Sequence, residues 1–318
     1  MAVTFGCVLS QTIYGPPAGP EAIRTLAQQA EALGFHSLWL ADHIVIPRRV
    51  QSSYPYAADG ASPFDPEQPF YEPLSVLNFL AGCTERIRLG THVLIVPYRP
   101  PVFAAKILAT LDALSGGRLI VGAGVGWMSE EFEALGLSTY AQRGAVTDEY
   151  LQLFKELWTK NDPEFHGTFV EVSDIGFHPK PVQRPYPPIW IGGHSIPALR
   201  RVALLGDGWM PIGLRPASLL EPSQMADKIG RLRALLREHN RAENAVTISF
   251  TAPVVVTKTS SSPRPLLQGR PDEVAADLGK YRAVGVQNFN INLPSFDIGG
   301  QAEAMEQFAR EVVPLLSD

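Results

Sequence analysis

Cysteine is scarce: the chain holds two, Cys7 and Cys83. They stand far apart with no ligand pattern around them. Neither a disulfide framework nor a structural zinc is expected, and both read as reduced core residues. Long apolar runs are lacking as well, and no stretch approaches the roughly 20 residues that a helix needs to span a bilayer. The chain enters a strand-like segment, Val3 to Leu9, without a basic region followed by an apolar core, so no secretion signal and a cytoplasmic location are expected. Positive charge is not in excess: 27 Lys and Arg stand against 32 Asp and Glu, a formal net charge of −5. That balance speaks against general nucleic-acid binding while leaving room for a local basic pocket. Familiar catalytic signatures are missing too. No nucleophile triad, phosphate-binding Walker loop, zinc helix or HxH pair occurs, so no metal is expected.

What is present is a globular composition, 45% hydrophobic and 19% charged over 318 residues, enough for one barrel-type domain or two smaller ones. The most informative stretch runs from Pro97 to Gly136. Pro100 and Pro101 can open a helix, because proline costs nothing in the first turn, and Gly116 and Gly117 can end it. Phe103, Ile107, Leu111 and Leu114 then fall on one face. Arg118 to Ala123 is an apolar run too short for a helix, and Gly122, Gly124 and Gly126 leave the backbone uncovered where strand becomes loop. Tight packing alone would account for such glycines equally well.

The rest of the chain alternates in the same way. Val3 to Leu9, Ser37 to Ala41, Ile87 to Val96, Ile189 to Ile191, Asp207 to Ile212, Val246 to Thr257 and Gln287 to Leu293 read as strands. Between them lie helices from Pro20, Pro73 to Cys83, Asp148 to Lys160, from His194, Ser223 to His239, Pro271 to Val284, and a last one bearing Met305, Phe308, Val312 and Leu315. Gln11 to Gly19 reads as a Gly/Pro-rich loop, and Ser138 to Ala145 as a polar connection. With the central stretch, eight strand–helix units result, and a (β/α)8 TIM barrel over residues 1–318, one domain, is the economical fold. Two insertions interrupt it. Residues 44 to 72, after strand two, are proline-rich and aromatic, and their position suggests a lid. Residues 161 to 187, between strands four and five, contain PKPVQRPYPP and cannot be helix or central strand.

Sites in such a barrel form at the carboxyl ends of the strands. Chain order therefore collects Asp42 and His43, Thr91 to Val93, Gly122 to Trp127, Gly192 to Ser195, and Trp209 with Met210 into one mouth. Gly192, Gly193, His194 and Ser195 stand between a short strand and a helix, where free N–H groups and the positive end of the dipole suit a phosphate. Arg200 and Arg201 read as solvated helix surface. Tyr54, Tyr56 and Trp209 offer an aromatic surface to a small-molecule substrate. From the residues alone, Asp42 and His43 could equally be simple strand caps.

The wording LATLDALSGGR followed by GVGW, then Glu130 or Glu131, Gly136, and later PPIWIGG, resembles the luciferase-like monooxygenase superfamily, specifically its branch of coenzyme F420-dependent oxidoreductases. The resemblance implies a cofactor site at Thr91, His92, Val93, Gly124, Val125, Gly126, Gly192, Gly193, His194 and Ser195, with a non-prolyl cis peptide at His92–Val93 beneath the cofactor ring. Flavin-dependent members often place an arginine inside the turn that here reads Gly124, Val125, Gly126, and Val125 favours the deazaflavin branch. The implied reaction is hydride transfer between F420 and a small organic substrate, with His43 near the reacting carbon as acid or base and Asp42 orienting it or binding the ring edge. Two other readings stay open: an FMN-dependent monooxygenase using reduced flavin and oxygen, and a non-catalytic cofactor-binding protein. A homodimer is compatible with either.

Overall fold

Eight parallel strands, each followed by a helical layer, close into a ring. The computed structural model describes residues 3–9, 19–294 and 297–316, so the loop read at Gln11 to Gly19 lies, but for Gly19, outside the described residues. The barrel strands are β1 (Thr4–Val8), β2 (Ser37–Leu40), β3 (Arg88–Thr91), β4 (Leu119–Gly124), β5 (Ile189–Gly192), β6 (Gly208–Met210), β7 (Thr247–Pro253) and β8 (Asn288–Asn292). Each pairs in parallel with its neighbour, and β8 pairs with β1 to close the ring. The barrel is thus the (β/α)8 fold expected from the alternation.

The helices are α1 (Pro20–Ala32), α2 (Pro73–Ala81), α3 (Pro101–Leu114), α4 (Ser129–Ala134), α5 (Arg143–Thr159), α6 (Ile196–Leu205), α7 (Pro222–Glu238), α8 (Pro271–Ala283) and α9 (Ile298–Gln307). Five of them, α1, α2, α3, α7 and α8, open on proline, which supplies the right φ where no N–H is needed. None of the described helices is long and apolar enough to cross a membrane.

Inside the ring, bulk on one strand faces absence of bulk on the next. Trp39, Ile120, Trp190 and Met210 form the central cluster. A Cβ on Gly90 would overlap the Trp39 ring, and one on Gly208 would overlap Trp190. These glycines are what allows two tryptophans into so narrow a lumen. β8 alternates cleanly: Phe289 and Ile291 pack outward into the main core. On the other face Asn288 and Asn290 are bonded to Ser249, which donates to Asn288 Oδ1 at 2.8 Å and accepts from Asn290 Nδ2 at 3.2 Å.

Three expectations are corrected, and the excursion at 161–187 takes a definite form. α3 buries Ala104, Ala105, Leu108, Ala109 and Leu111, whereas Phe103 and Leu114 are 59% and 70% exposed; the small alanines, not the large apolar residues, let α3 lie close to the sheet. The polar connection ends at Gln142, because α5 already starts at Arg143. Strand three stops at Thr91 and resumes only at Leu94–Ile95, which pairs with β4, and the His92–Val93 peptide in the gap is cis. The excursion at 161–187 forms a short antiparallel hairpin, Phe165–His166 with Glu171–Val172. Its end is fixed where β3 and β4 begin: Gln183 accepts from Arg88 and donates to the Leu119 carbonyl. It therefore covers the amino-terminal end of the barrel, away from the mouth.

Candidate active site

Two adjoining cavities open at the carboxyl ends of the strands. The main one, about 270 Å³, is lined by residues from every part of the mouth, including His43, Val93, Val125, Trp127 and Met210. The second, about 380 Å³, lies beside it between the turns after β4 and β5. Gly124, Val125, Gly192 and Gly193 line both. These glycines form the shared floor because larger residues would not fit: a Cβ on Gly124 would run into Val93, and one on Gly126, whose φ is +82°, would come within 2.9 Å of Ile95 and Phe132.

His43 follows β2 and is buried. Its Nδ1 lies 2.6 Å from Glu131 Oε2 on α4. The Glu131 carboxylate, wholly buried, also accepts from the backbone N–H groups of Ile44 at 2.7 Å and Val45 at 3.2 Å and from the Tyr98 hydroxyl at 2.9 Å. A carboxylate is an acceptor only, so Nδ1 carries the proton in this pair, and Nε2 is the ring nitrogen left over. Burial, reinforced by the neighbouring Glu131 charge, raises the Tyr98 hydroxyl well above its ordinary value and keeps it a donor. The imidazole is boxed by rings: Phe64 at 4.3 Å, Phe70 at 5.5 Å and Trp127 at 6.5 Å between centroids.

Asp42, beside it, does different work. Its two oxygens take Arg99 Nη1 at 2.7 Å and Nη2 at 2.8 Å, and Oδ2 also takes the Ile95 N–H at 2.8 Å. Arg99 Nη2 goes on to Glu72 at 2.7 Å. Asp42 thereby pins the end of β2 to the resumed third strand and to the start of α2. The orienting contact to His43 comes from Glu131 and not from Asp42.

The residues expected at the cofactor site divide into three sets. His92, Val93, Gly124, Val125, Gly126, Gly192 and Gly193 do line the main cavity. Ser195 lines the second cavity, where its hydroxyl caps α6 by accepting from the Ala198 N–H at 3.3 Å. Thr91 and His194 reach neither. Thr91 is buried, its hydroxyl donating to the Gly122 carbonyl at 2.7 Å. His194 turns away to Ser218, 3.0 Å from its Oγ. His92 faces Thr251, with Nε2 and Oγ1 3.0 Å apart; burial, aided by the Arg215 charge, brings it down to about 4, so it is a neutral imidazole.

Of the aromatic surface, Tyr54 and Tyr56 line the main cavity. Trp209 does not. It is wholly buried and its indole donates to the Gly193 carbonyl at 2.8 Å, bracing the turn from behind. Arg201, read as surface, is buried and paired with Asp148, and it donates to the Gly144 carbonyl at 3.0 Å. It lines the second cavity together with Arg143, which is held by the carbonyls of Gly126 and Tyr140 and has no carboxylate partner among the described residues. Sequence reasoning missed this pair, and it missed Phe64, Phe70 and the role of Glu131.

The segment 44–72 forms one wall of the main cavity through Tyr54, Tyr56 and Phe64. It has no helix or strand but is ordered by a turn, Tyr54 N–H to Gly60 carbonyl at 2.8 Å. It is tied to α4 by Glu130, which accepts from the N–H groups of Gln51 at 2.6 Å and Ser52 at 2.9 Å.

A ring of this topology, a cis peptide at the break in the third strand and glycine-floored cavities at the carboxyl face agree with the wording around GVGW, and residues 3–265 match the sequence pattern of the luciferase-like monooxygenases. The chain belongs to that family. A Mycobacterium tuberculosis protein of uncharacterized function is 38% identical over 208 residues, 65% of this chain and 70% of that one. The FMNH2-dependent dimethylsulfone monooxygenase of Pseudomonas putida is 29% identical over 246 residues, 77% and 60% of the two chains. The F420-dependent glucose-6-phosphate dehydrogenase of Amycolatopsis mediterranei is 25% identical across 94% of this chain and 95% of that one. Luciferase-like relatives thus use either cofactor.

Proposed function

We propose that this luciferase-like protein is an oxidoreductase that transfers hydride between coenzyme F420 and a small organic substrate, with His43 as the acid or base. The observation that carries the reading is the imidazole of His43, fixed by a buried carboxylate at Nδ1 and lining a glycine-floored cavity, with no hydrogen bond to Nε2 among the described residues. A group so held can accept or deliver one proton without reorienting.

The residues suit a phosphorylated tricyclic cofactor. Gly124, Gly126, Val93 and Gly192 give a flat apolar floor, and the second cavity offers Arg143, Gly193 and the Ser195 end of α6 to a phosphate. When bound, a deazaflavin supplies hydride chemistry without ready activation of oxygen. Val125 in place of an arginine in the turn supports F420 over FMN; the dimethylsulfone relative supports the FMN-dependent alternative. The protein's own part is to hold the proton at His43, to keep His92 neutral under the floor, and to exclude water with Tyr54, Phe64 and Trp127.

Side-by-side titration with F420 and FMN tests the reading. F420 should bind at least tenfold tighter, about 1.4 kcal/mol. Equal binding or a preference for FMN moves the protein to the monooxygenase alternative, and tight binding with no turnover across a broad substrate panel makes it a non-catalytic binder.

A further inference from the structure

Arg215 sits in the tight turn after β6, where its N–H donates to the Ser218 carbonyl at 3.1 Å and its carbonyl accepts from the Ser218 N–H at 2.8 Å. The turn sends its side chain into the main cavity, beside Tyr56, Thr251 and Asn292. There the guanidinium makes no hydrogen bond and no ion pair among the described residues. This sets it apart. Every other arginine that is not exposed donates to something: Arg24 to Glu21, Arg88 to Gln183, Arg99 to Asp42, Arg118 to the Ala81 and Thr84 carbonyls, Arg143 to the Gly126 carbonyl, Arg201 to Asp148. The same holds for Arg241, Arg264 and Arg282, which reach Val202, Asp277 and Leu316. A half-buried guanidinium with five donors and no acceptor among the described residues is open to a ligand.

We propose that Arg215 clamps the carboxylate of the substrate, so that the natural substrate is a small, otherwise apolar carboxylic acid. The inference rests on the reading of the main cavity as the substrate site of an oxidoreductase. Three observations set the class. The remaining walls are largely apolar, formed by Val8, Phe64, Trp127, Met210 and Ile212. Arg215 is the single permanent cation among the residues lining the cavity, since His92 is held neutral. One planar fork matches the two oxygens of a carboxylate, whereas a phosphate dianion would want a second cation that this cavity lacks. Arg143 serves the neighbouring cavity, so the two anionic ends, cofactor and substrate, have separate receptors. Tyr56, whose hydroxyl burial keeps protonated well beyond its ordinary range, adds a neutral donor beside the arginine.

The test compares benzoate with benzamide, its uncharged near-isostere, by calorimetric titration of the protein loaded with whichever of F420 or FMN binds. Benzoate should bind at least tenfold tighter. In Arg215→Gln the two should fall within twofold of each other, while the Kd for cofactor changes less than threefold. Arg215→Lys, which keeps the charge but not the fork, should retain part of the preference; it also serves should the glutamine variant fail to fold by circular dichroism. Undetectable benzoate binding, equal affinities in the parent, or a preference that survives in Arg215→Gln overturns the proposal. Loss of cofactor affinity with benzoate binding intact overturns it too, and assigns Arg215 to the cofactor. Failure of both cofactors to bind overturns the oxidoreductase reading instead, and the benzoate ratio is then read on unloaded protein.

Discussion

A carboxylate buried among three donors and one imidazole decides how the site can work. Glu131 Oε1 is filled by two backbone N–H groups and Oε2 by Tyr98 and His43. Replacing it by glutamine keeps an acceptor for the backbone but turns an amide N–H toward one of the two donors on Oε2, so the imidazole loses its fixed tautomer. Glu131→Gln should lower the transfer rate by about tenfold or more, and His43→Ala by roughly a hundredfold, with cofactor affinity within a few-fold in both. Single-turnover kinetics on folded variants reads the difference, and parent-rate transfer in His43→Ala rules out the catalytic role. None of this contact was legible in the sequence. Glu131 lies 88 residues from His43, and no periodicity connects a carboxylate on a six-residue helix to a loop after another strand. Trp209 shows the opposite failure: its position at a strand end was read correctly, but its alternating face points behind the turn, into the core.

Elements were easier to read than their faces. Strand positions follow from apolar runs, and all eight barrel strands begin within one residue of where those runs place them. The inward face of α3 was misread because helical period alone ranks Phe103 and Leu114 above Ala104 and Ala105, while the packing distance favours alanine. The segment 44–72 could be recognised by length, proline content and position as a cover near the mouth, with Tyr54 and Tyr56 facing it, but neither Phe64 nor the anchor that holds the segment could be read. Its anchor is Glu130, and that anchor is sensitive to pH. Burial opposes ionisation, but hydrogen bonds from Ser52 and from the Gln51 and Ser52 N–H groups prevail and hold the carboxyl at about 2. A folded pKa below the ordinary 4.5 means that the bond's contribution is complete above about 4.5 and is lost as pH falls toward 2. Glu130→Gln should therefore loosen the segment at neutral pH much as acid does in the parent. Limited proteolysis between Arg48 and Tyr56 should quicken in the variant, and saturating cofactor should slow it in the parent. Cleavage that ignores both changes would make the segment an ordinary surface loop.

The whole barrel was foreseeable because eight alternations admit few other closures, and its active end because parallel strands all finish on one side. The closed ring also makes the glycine floor of the cavities part of the global fold. β4 and β5 contribute Gly124 and Gly192 to both cavities, so a ligand held there braces two neighbouring staves. Binding to the folded state alone adds about 2.7 kcal/mol at a hundredfold excess over Kd. With an unfolding entropy of about 2.1 cal/mol/K per residue, a chain of this length should melt about 4 °C higher under that load. Gly193→Asp separates anchoring from simple stability. Gly193 has φ +81°, which any L-residue resents, so the variant should melt lower than the parent even without ligand, by roughly 1–3 kcal/mol. That drop says nothing about phosphate. The informative quantity is the increment on adding cofactor, which should vanish in the variant because a carboxylate would then face the phosphate at the mouth of the second cavity. Scanning calorimetry with and without cofactor measures both numbers on the same protein. An increment that persists in Gly193→Asp puts the phosphate elsewhere, whatever the baseline melting temperature.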